Sequence, residues 1–345
     1  MDSTAGPLLT LVVAVYQIAG YVEEALRSVL DDDAAGVIRL VVVDDGSTDG
    51  SGELCDAVAA ADARGRVRVV HQANAGVSAA RNRGLELVET PYVGFLDGDD
   101  VVLPGFAQEM AALLAPGDAD IIEFSADYLN LVGTRTGPVV AVDPDAPDRE
   151  EMDGALLERV ANAFLCYVWA RVYRVALVRA YPFPVGRNYE DVAVLPSWYV
   201  DADLVVRTPL VLVGHRLRAG SIMHTPTLSE CADWAECAHE ALQRCDGSGT
   251  DRFWVTVAQK SVEGMCATAA TVPARQFRAA LVLARAERDA CLTQLAALAR
   301  PGGGAEAAVF RAHVTSIPRI RTRVMVRSLA RRAVGRHLRA RSVPA

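Results

Sequence analysis

Apolar and polar residues alternate in blocks along the first 125 positions, and the block lengths predict a regular succession of strands and helices. Residues 8–15 form an apolar run broken only by Thr10, the pattern of a short strand buried on both faces. In residues 21–30 the apolar side chains Val22, Ala25, Leu26 and Val29 recur at helical spacing. A β-branched run at 38–43 predicts a second strand. A helix at 50–63 follows, with Ser47, Thr48 or Asp49 available to cap it. Residues 67–71, 92–96 and 120–125 predict three more strands, separated by helices at 77–88 and 104–114. The last of these helices opens with Pro104, whose missing N–H is harmless in a first turn.

Strands alternating with helices of this length predict βαβ units and an α/β fold with a mostly parallel sheet. Each strand runs into a polar loop: Tyr16-Gln17, Asp44-Asp45-Gly46-Ser47, residues 71–76 and residues 97–100. In an open parallel sheet these loops share one edge, where ligands bind, so the four clusters are expected to face a single crevice. Beyond this half the pattern is less regular. Residues 134–149 are rich in Pro, Asp and Gly and predict a loop, 188–200 a helix, and 204–213 a pair of strands. After about residue 225 the chain becomes Ala-rich and helical, broken at 247–249 and 301–304. The expected organisation is a catalytic domain at 1–225, a helical region at 226–310 and a tail at 311–345.

Charge changes this picture at the tail. The formal net charge is −8, yet ten arginines and no carboxylate side chain fall in 311–345. An acidic body with a basic end is not the footprint of a general nucleic-acid binder. Residues 318–341 interleave Ile320, Val324, Leu329, Val334 and Leu338 with arginines, which predicts either an amphipathic helix on anionic lipid or a solvated tail. The seven cysteines are odd in number and contain no CxxC, which argues against a disulfide framework. No run of about twenty apolar residues predicts a membrane span. The expected location is cytoplasmic or peripheral on the inner face of the membrane.

The chemistry concentrates in the polar loops. Asp97 and Asp99 follow a strand and flank Gly98, so two carboxylates can turn toward one hard cation such as Mg²⁺ or Mn²⁺. A carboxylate at Asp45, after the second strand, can accept from a nucleotide, as acidic residues do in nucleotide-binding folds. Arg81, early in a helix, is badly placed for the helix dipole, so an anion or a carboxylate such as Asp97 or Glu86 is its expected partner. Glu190-Asp191 could supply a general base, although spacing alone equally describes an acidic pair at a helix start. Arg216, Arg218, Ser221 and His224 form a polar set after a strand, suited to phosphate contact, with His224 able to join a metal shell.

Together these segments resemble glycosyltransferase family 2. They are VVAVYQ at 12–17, VVVDDGSTDGS at 41–51, NAGVSAARNRGL at 74–85, YVGFLDGDD at 92–100, WARVYR at 169–174, Tyr189-Glu190-Asp191 and RLRAGSI at 216–222. The resemblance spans about residues 8–225. It implies a GT-A fold, Rossmann-like, with a C-terminal helical extension. It implies an inverting, metal-dependent transfer from a nucleotide-sugar, with UDP as carrier, to a glycan or lipid-linked acceptor in bacterial polysaccharide synthesis. Tyr16 and Asp45 would meet the nucleobase, and Arg81 and Asn82 would lie near the donor. Asp97 and Asp99 would place Mn²⁺ or Mg²⁺ against the diphosphate. Asp191 would be the base, with Glu190 beside it. Two rivals carry less of the sequence. A sugar nucleotidyltransferase needs a Gly-rich basic loop where this chain has Tyr16-Gln17-Ile18-Ala19-Gly20, and a non-catalytic nucleotide-sugar-binding module has no use for Glu190-Asp191.

Overall fold

The computed structural model describes residues 6–130, 132–217 and 226–298. The chain divides into two compact units, Met1–Ser221 and Ile222–Ala345.

The first unit begins with the alternation the pattern predicts: β1 (Leu9–Val15), α1 (Val22–Asp32), β2 (Ile38–Asp44), α2 (Ser51–Ala61), β3 (Val67–His71), α3 (Val77–Glu86) and β4 (Tyr92–Asp97). It continues through β5 (Val101–Val102), α4 (Phe106–Leu114), β6 (Ile121–Leu129), β7 (Arg135–Val140), β8 (Arg149–Glu151) and α5 (Gly154–Ala163). It ends with β9 (Arg171–Arg174), α6 (Val175–Ala180), α7 (Glu190–Val200) and β10 (Leu204–Arg216). The strands form one sheet in the order β3-β2-β1-β4-β9-β6-β10-β5, with β7 on β6 and β8 on β10. Pairings among β3, β2, β1 and β4 are all parallel. Order reverses at β1, and there the register sets Val15 opposite Asp44 and Ala14 opposite Asp97. The two acidic loops therefore flank the end of β1, at the position where open parallel sheets leave a crevice.

Beyond β4 the sheet is mixed. β9 lies antiparallel between β4 and β6, while β6 and β10 are parallel. Two expectations change here. Residues 134–149, expected as a loop, contain β7 and the start of β8. β7 carries Gly137 and Pro138 and is mostly exposed, so it lacks the alternation that marks a strand, and it pairs only with β6. The expected strand pair at 204–213 is one long strand, β10, with irregular register around Pro209.

Side-chain packing fixes the elements that carry the site. Val22, Ala25, Leu26 and Val29 of α1 are buried, as their spacing requires. Gly84 of α3 faces Val12, and a Cβ there would lie 2.3 Å from a Val12 methyl, so the helix sits very close to β1. α7 is anchored by Trp198, which is fully buried and packs against Tyr173, Phe183 and Phe95 with ring centroids 4.7, 5.5 and 6.4 Å away.

The second unit contains α8 (Leu228–Gln243), α9 (Asp251–Thr271) and α10 (Ala274–Leu298), which pack against one another. Thr227 and Glu230 close a capping box at the start of α8. Cys231, Cys237, Cys266 and Cys291 are buried thiols. Burial pushes Cys231 and Cys266 up to about 11 and Cys291 to about 12, so they remain neutral packing groups. The basic tail lies outside the described residues.

Candidate active site

The crevice is built by two interlocked loops and an acidic turn. Gln17 adopts a left-handed conformation (φ 54°) directly after β1. Its side-chain amide donates to Thr48 Oγ1 at 2.9 Å and accepts from the Thr48 N–H at 3.1 Å. The Ile18 N–H donates to Ser51 Oγ and the Ala19 N–H to Asp49 Oδ2, both at 2.9 Å. Asp49 also accepts from the Ser51 N–H and hydroxyl. These bonds outweigh its burial and hold its carboxyl below the usual range. This lattice leaves the Tyr16 ring half exposed at the rim.

Asp45 is buried and faces the loop before α3. Its Oδ1 accepts from Gln72 Nε2 at 2.7 Å and the Ala75 N–H at 2.9 Å, and its Oδ2 from the Gly76 N–H at 2.8 Å. A carboxylate has about four acceptor positions, so one remains for a ligand. Asp45 thus first shapes the loop, and a nucleobase would use what is left.

Gly98 lets the acidic turn approach β1. A Cβ there would fall 2.5 Å from Ile18 Cδ1 and 3.1 Å from the Ala14 carbonyl. Asp97 and Asp99 are partly exposed, whereas Asp100 is fully buried. Asp100 accepts from the Arg216 N–H at 2.8 Å and pairs with His215 Nδ1 at 2.8 Å. Burial pushes the Asp100 carboxyl up to about 6, against the pull of His215. Arg216, expected on a phosphate, is turned into the protein. Its guanidinium donates to the Asp99 carbonyl at 3.1 Å and to Glu24 at 2.9 Å, and lies over the Tyr21 ring. It braces the turn from behind. Arg218, Ser221 and His224 lie outside the described residues.

Across the crevice, α7 opens with Glu190 and Asp191. Tyr189 before them is left-handed (φ 58°), an unusual state for a bulky residue and one found at functional sites. Burial, reinforced by Glu190 and opposed by Arg81, pushes Asp191 up to about 7. Arg81 joins the two sides: Nη2 donates to Asp97 Oδ1 at 2.9 Å and Nη1 to Glu190 Oε1 at 2.6 Å. Asn82, expected near the donor, uses both ends of its amide on Phe183. It donates to the Phe183 carbonyl at 2.8 Å and accepts from its N–H at 2.9 Å. Asn82 therefore ties the segment before α7 to α3.

Sequence reasoning missed His215, which stacks on Trp169 at 4.8 Å and 10° and touches Tyr128 at 5.9 Å. Tyr167 packs on Trp169 at 5.3 Å. These four rings form an aromatic wall, which His215 joins to Asp100. Its only signal in the sequence is a lone histidine two residues after the apolar run at 210–213.

The donor set fits a hard divalent cation. Asp97 and Asp99 offer carboxylate oxygens, and Asp97 has one oxygen toward Arg81 and one without a bond among the described residues. No cluster of three or more His, Cys, Asp and Glu could hold a metal alone among the described residues, so a cation would complete its shell with waters and diphosphate oxygens.

Residues 10–169 match the family model described as Glycosyl transferase family 2. Over 169 residues the chain is 32% identical to the "Uncharacterized glycosyltransferase EpsJ" of Bacillus subtilis (strain 168), covering 49% of this chain and 48% of that protein. The chain thus spans about half the length of that relative. TarS 1-349 of S. aureus, solved in complex with UDP-GlcNAc, superposes with a TM-score of 0.59 at 19% identity, covering 81% of this chain and 88% of that one. The mannosyltransferase PcManGT from Pyrobaculum calidifontis, in complex with GDP-Man and Mn²⁺, gives a TM-score of 0.55 at 16% identity, covering 95% and 88%. The parallel half-sheet with an acidic turn at its switch point is therefore a GT-A-like fold, as the sequence led us to expect. Over residues 10–169 the chain is thus similar to glycosyltransferase family 2.

Proposed function

We propose that the protein transfers a sugar, with inversion, from a nucleoside diphosphate donor to an acceptor hydroxyl in bacterial polysaccharide synthesis. The observation that carries this reading is the juxtaposition of a metal-type carboxylate, Asp97, with the acidic head of α7, joined through Arg81. UDP is the proposed carrier. The resemblance favours it, and the fold neighbour TarS was solved with UDP-GlcNAc, whereas PcManGT was solved with GDP-Man.

In this reading the Tyr16 ring covers the base, and the remaining acceptor position of Asp45 receives a base N–H. Asp97 and Asp99 hold Mn²⁺ or Mg²⁺, which when bound neutralises the departing diphosphate. Asp191 takes the proton of the acceptor hydroxyl as the hydroxyl oxygen attacks the anomeric carbon from the face opposite the diphosphate, so configuration inverts. A carboxyl raised to about 7 is well matched to that task, because base strength and ionised fraction are both useful near neutrality. Glu190 orients Arg81 and does not touch the acceptor. The aromatic wall of Tyr128, Tyr167, Trp169 and His215 supports a sugar ring on the acceptor side. The arginine-rich tail is proposed to rest on anionic lipid, bringing the crevice near a lipid-linked acceptor.

The test is nucleotide release from a panel of UDP- and GDP-sugars with Mn²⁺, with and without extracts containing lipid-linked glycans. Asp97→Ala should lose metal-dependent release. Asp191→Asn should retain nucleotide binding by calorimetry and lose transfer by 10²-fold or more, the scale of general-base catalysis. Normal transfer by Asp191→Asn would remove the base assignment.

A further inference from the structure

The guanidinium of Arg81 is the physical link between the two halves of the crevice. Its side chain is 5% exposed. Burial alone would lower its pKa, but Asp97 and Glu190 raise it above the ordinary arginine value, so the charge is permanent. One amino group points to Asp97 and the other to Glu190. The Phe95 and Phe183 rings lie 6.0 and 5.5 Å from its central carbon. Phe183 is itself clamped by Asn82, the next residue of α3. The guanidinium is therefore held in place while its charge is shared between two carboxylates on different elements.

We propose that Arg81 is a positioning residue that couples cation binding at Asp97 to the head of α7 through Glu190. The inference rests on the glycosyltransferase reading, because it needs a cation on Asp97. A divalent ion on the second oxygen of Asp97 draws that carboxylate's charge away from Arg81. The guanidinium is then balanced chiefly by Glu190, and the contact that orients the base-bearing turn tightens. With the cation gone, Arg81 again divides between the two. Coupling of this kind is reciprocal: whatever cation binding does to the Arg81–Glu190 contact, that contact does to cation affinity. A lysine cannot substitute, since its compact ammonium lacks the rigid planar fork with which the guanidinium spans two separated carboxylates.

The reciprocity gives a test that does not depend on turnover. Mn²⁺ is titrated into the full chain in the presence of UDP and without acceptor, and free Mn²⁺ is counted by electron paramagnetic resonance. Glu190→Gln leaves Arg81 leaning chiefly on Asp97, so the guanidinium competes harder with the ion, and Mn²⁺ affinity should fall about 5-fold or more. In an Arg81→Lys background the same Glu190→Gln change should leave Mn²⁺ affinity unaltered. An unchanged affinity in the first case, or a persisting shift in the second, overturns the proposal. If Arg81→Lys does not fold, as judged by circular dichroism, Glu190→Asp takes its place. It keeps the charge but is one carbon too short for the contact, and should weaken Mn²⁺ as Glu190→Gln does; wild-type affinity in Glu190→Asp overturns the proposal equally. Failure of the unmodified chain to bind Mn²⁺ with UDP would instead count against the glycosyltransferase reading and take this inference with it.

Discussion

At the scale of single residues, the acidity of the crevice is the feature with the most consequences. As the proposed base, Asp191 must be ionised to accept a proton, and its carboxyl is raised to about 7. Its folded state therefore binds a proton more tightly than the unfolded chain, where an aspartate titrates near about 4. Two outcomes follow from that sign. The pH profile of kcat/KM should rise about tenfold per unit from acid and level off above about 7. Stability should respond in the opposite sense: the ionised carboxyl costs folding free energy above pH 7, and that cost fades as pH falls toward 4. Asp191→Asn should thus raise Tm at pH 8 by about 2–4 °C for each kcal/mol removed and have little effect near pH 4. Differential scanning fluorimetry at the two pH values decides it, and a lower Tm at pH 8 contradicts the assignment. The acidic turn at the end of β4 and the contact of Arg81 with Asp97 were legible in the sequence, because acidic turns after parallel strands and a misplaced arginine each have a physical meaning on their own. His215 and the inward turn of Arg216 were not. Both depend on β10 passing beside the acidic turn, which no local pattern encodes.

At the scale of elements, the head of α7 is set by contacts made elsewhere. Asn82 on α3 supplies both hydrogen bonds to the Phe183 peptide group, and Phe183 packs on Trp198 and Phe95. Asn82→Ala would leave a buried peptide group without partners, costing about 1–3 kcal/mol. Urea unfolding should show that loss, and transfer should fall with it. An unchanged midpoint would mean that the segment is held by other means. The βαβ half was legible because β1, β2 and β4 are buried on both faces and α1 shows a clear apolar stripe. β7 and the length of β10 were not. β7 is an exposed edge carrying Gly137 and Pro138, and β10 runs through Pro209 by shifting register, so neither shows the period of an ordinary strand. A second network was also invisible. Arg171 donates to the Tyr199 hydroxyl, Tyr199 to Glu123, and Arg207 to Glu123 and Glu150, linking β6, β8, β9, α7 and β10 beneath the sheet's second half.

At the scale of the whole molecule, charge separates the body from its end. If the arginine-rich residues 318–345 bind anionic lipid, the full chain should float with phosphatidylglycerol vesicles at low salt and a chain ending at 317 should not, with binding weakening as salt screens the contact. Equal flotation of both chains would assign membrane contact elsewhere. The insertion of β9 between β4 and β6 bears on how the protein is made. Translation releases β1 to β4 first, and their parallel pairing can begin at once. The β4 and β6 edges nevertheless stay open until residues 171–174 emerge from the ribosome and zip both. The family-matched stretch ends at residue 169, just short of that closure. A nascent chain of that length is an unfinished sheet whose β4 and β6 edges are bare. A chain released at residue 169 should aggregate, whereas one carried to residue 217 has the strand that seals them.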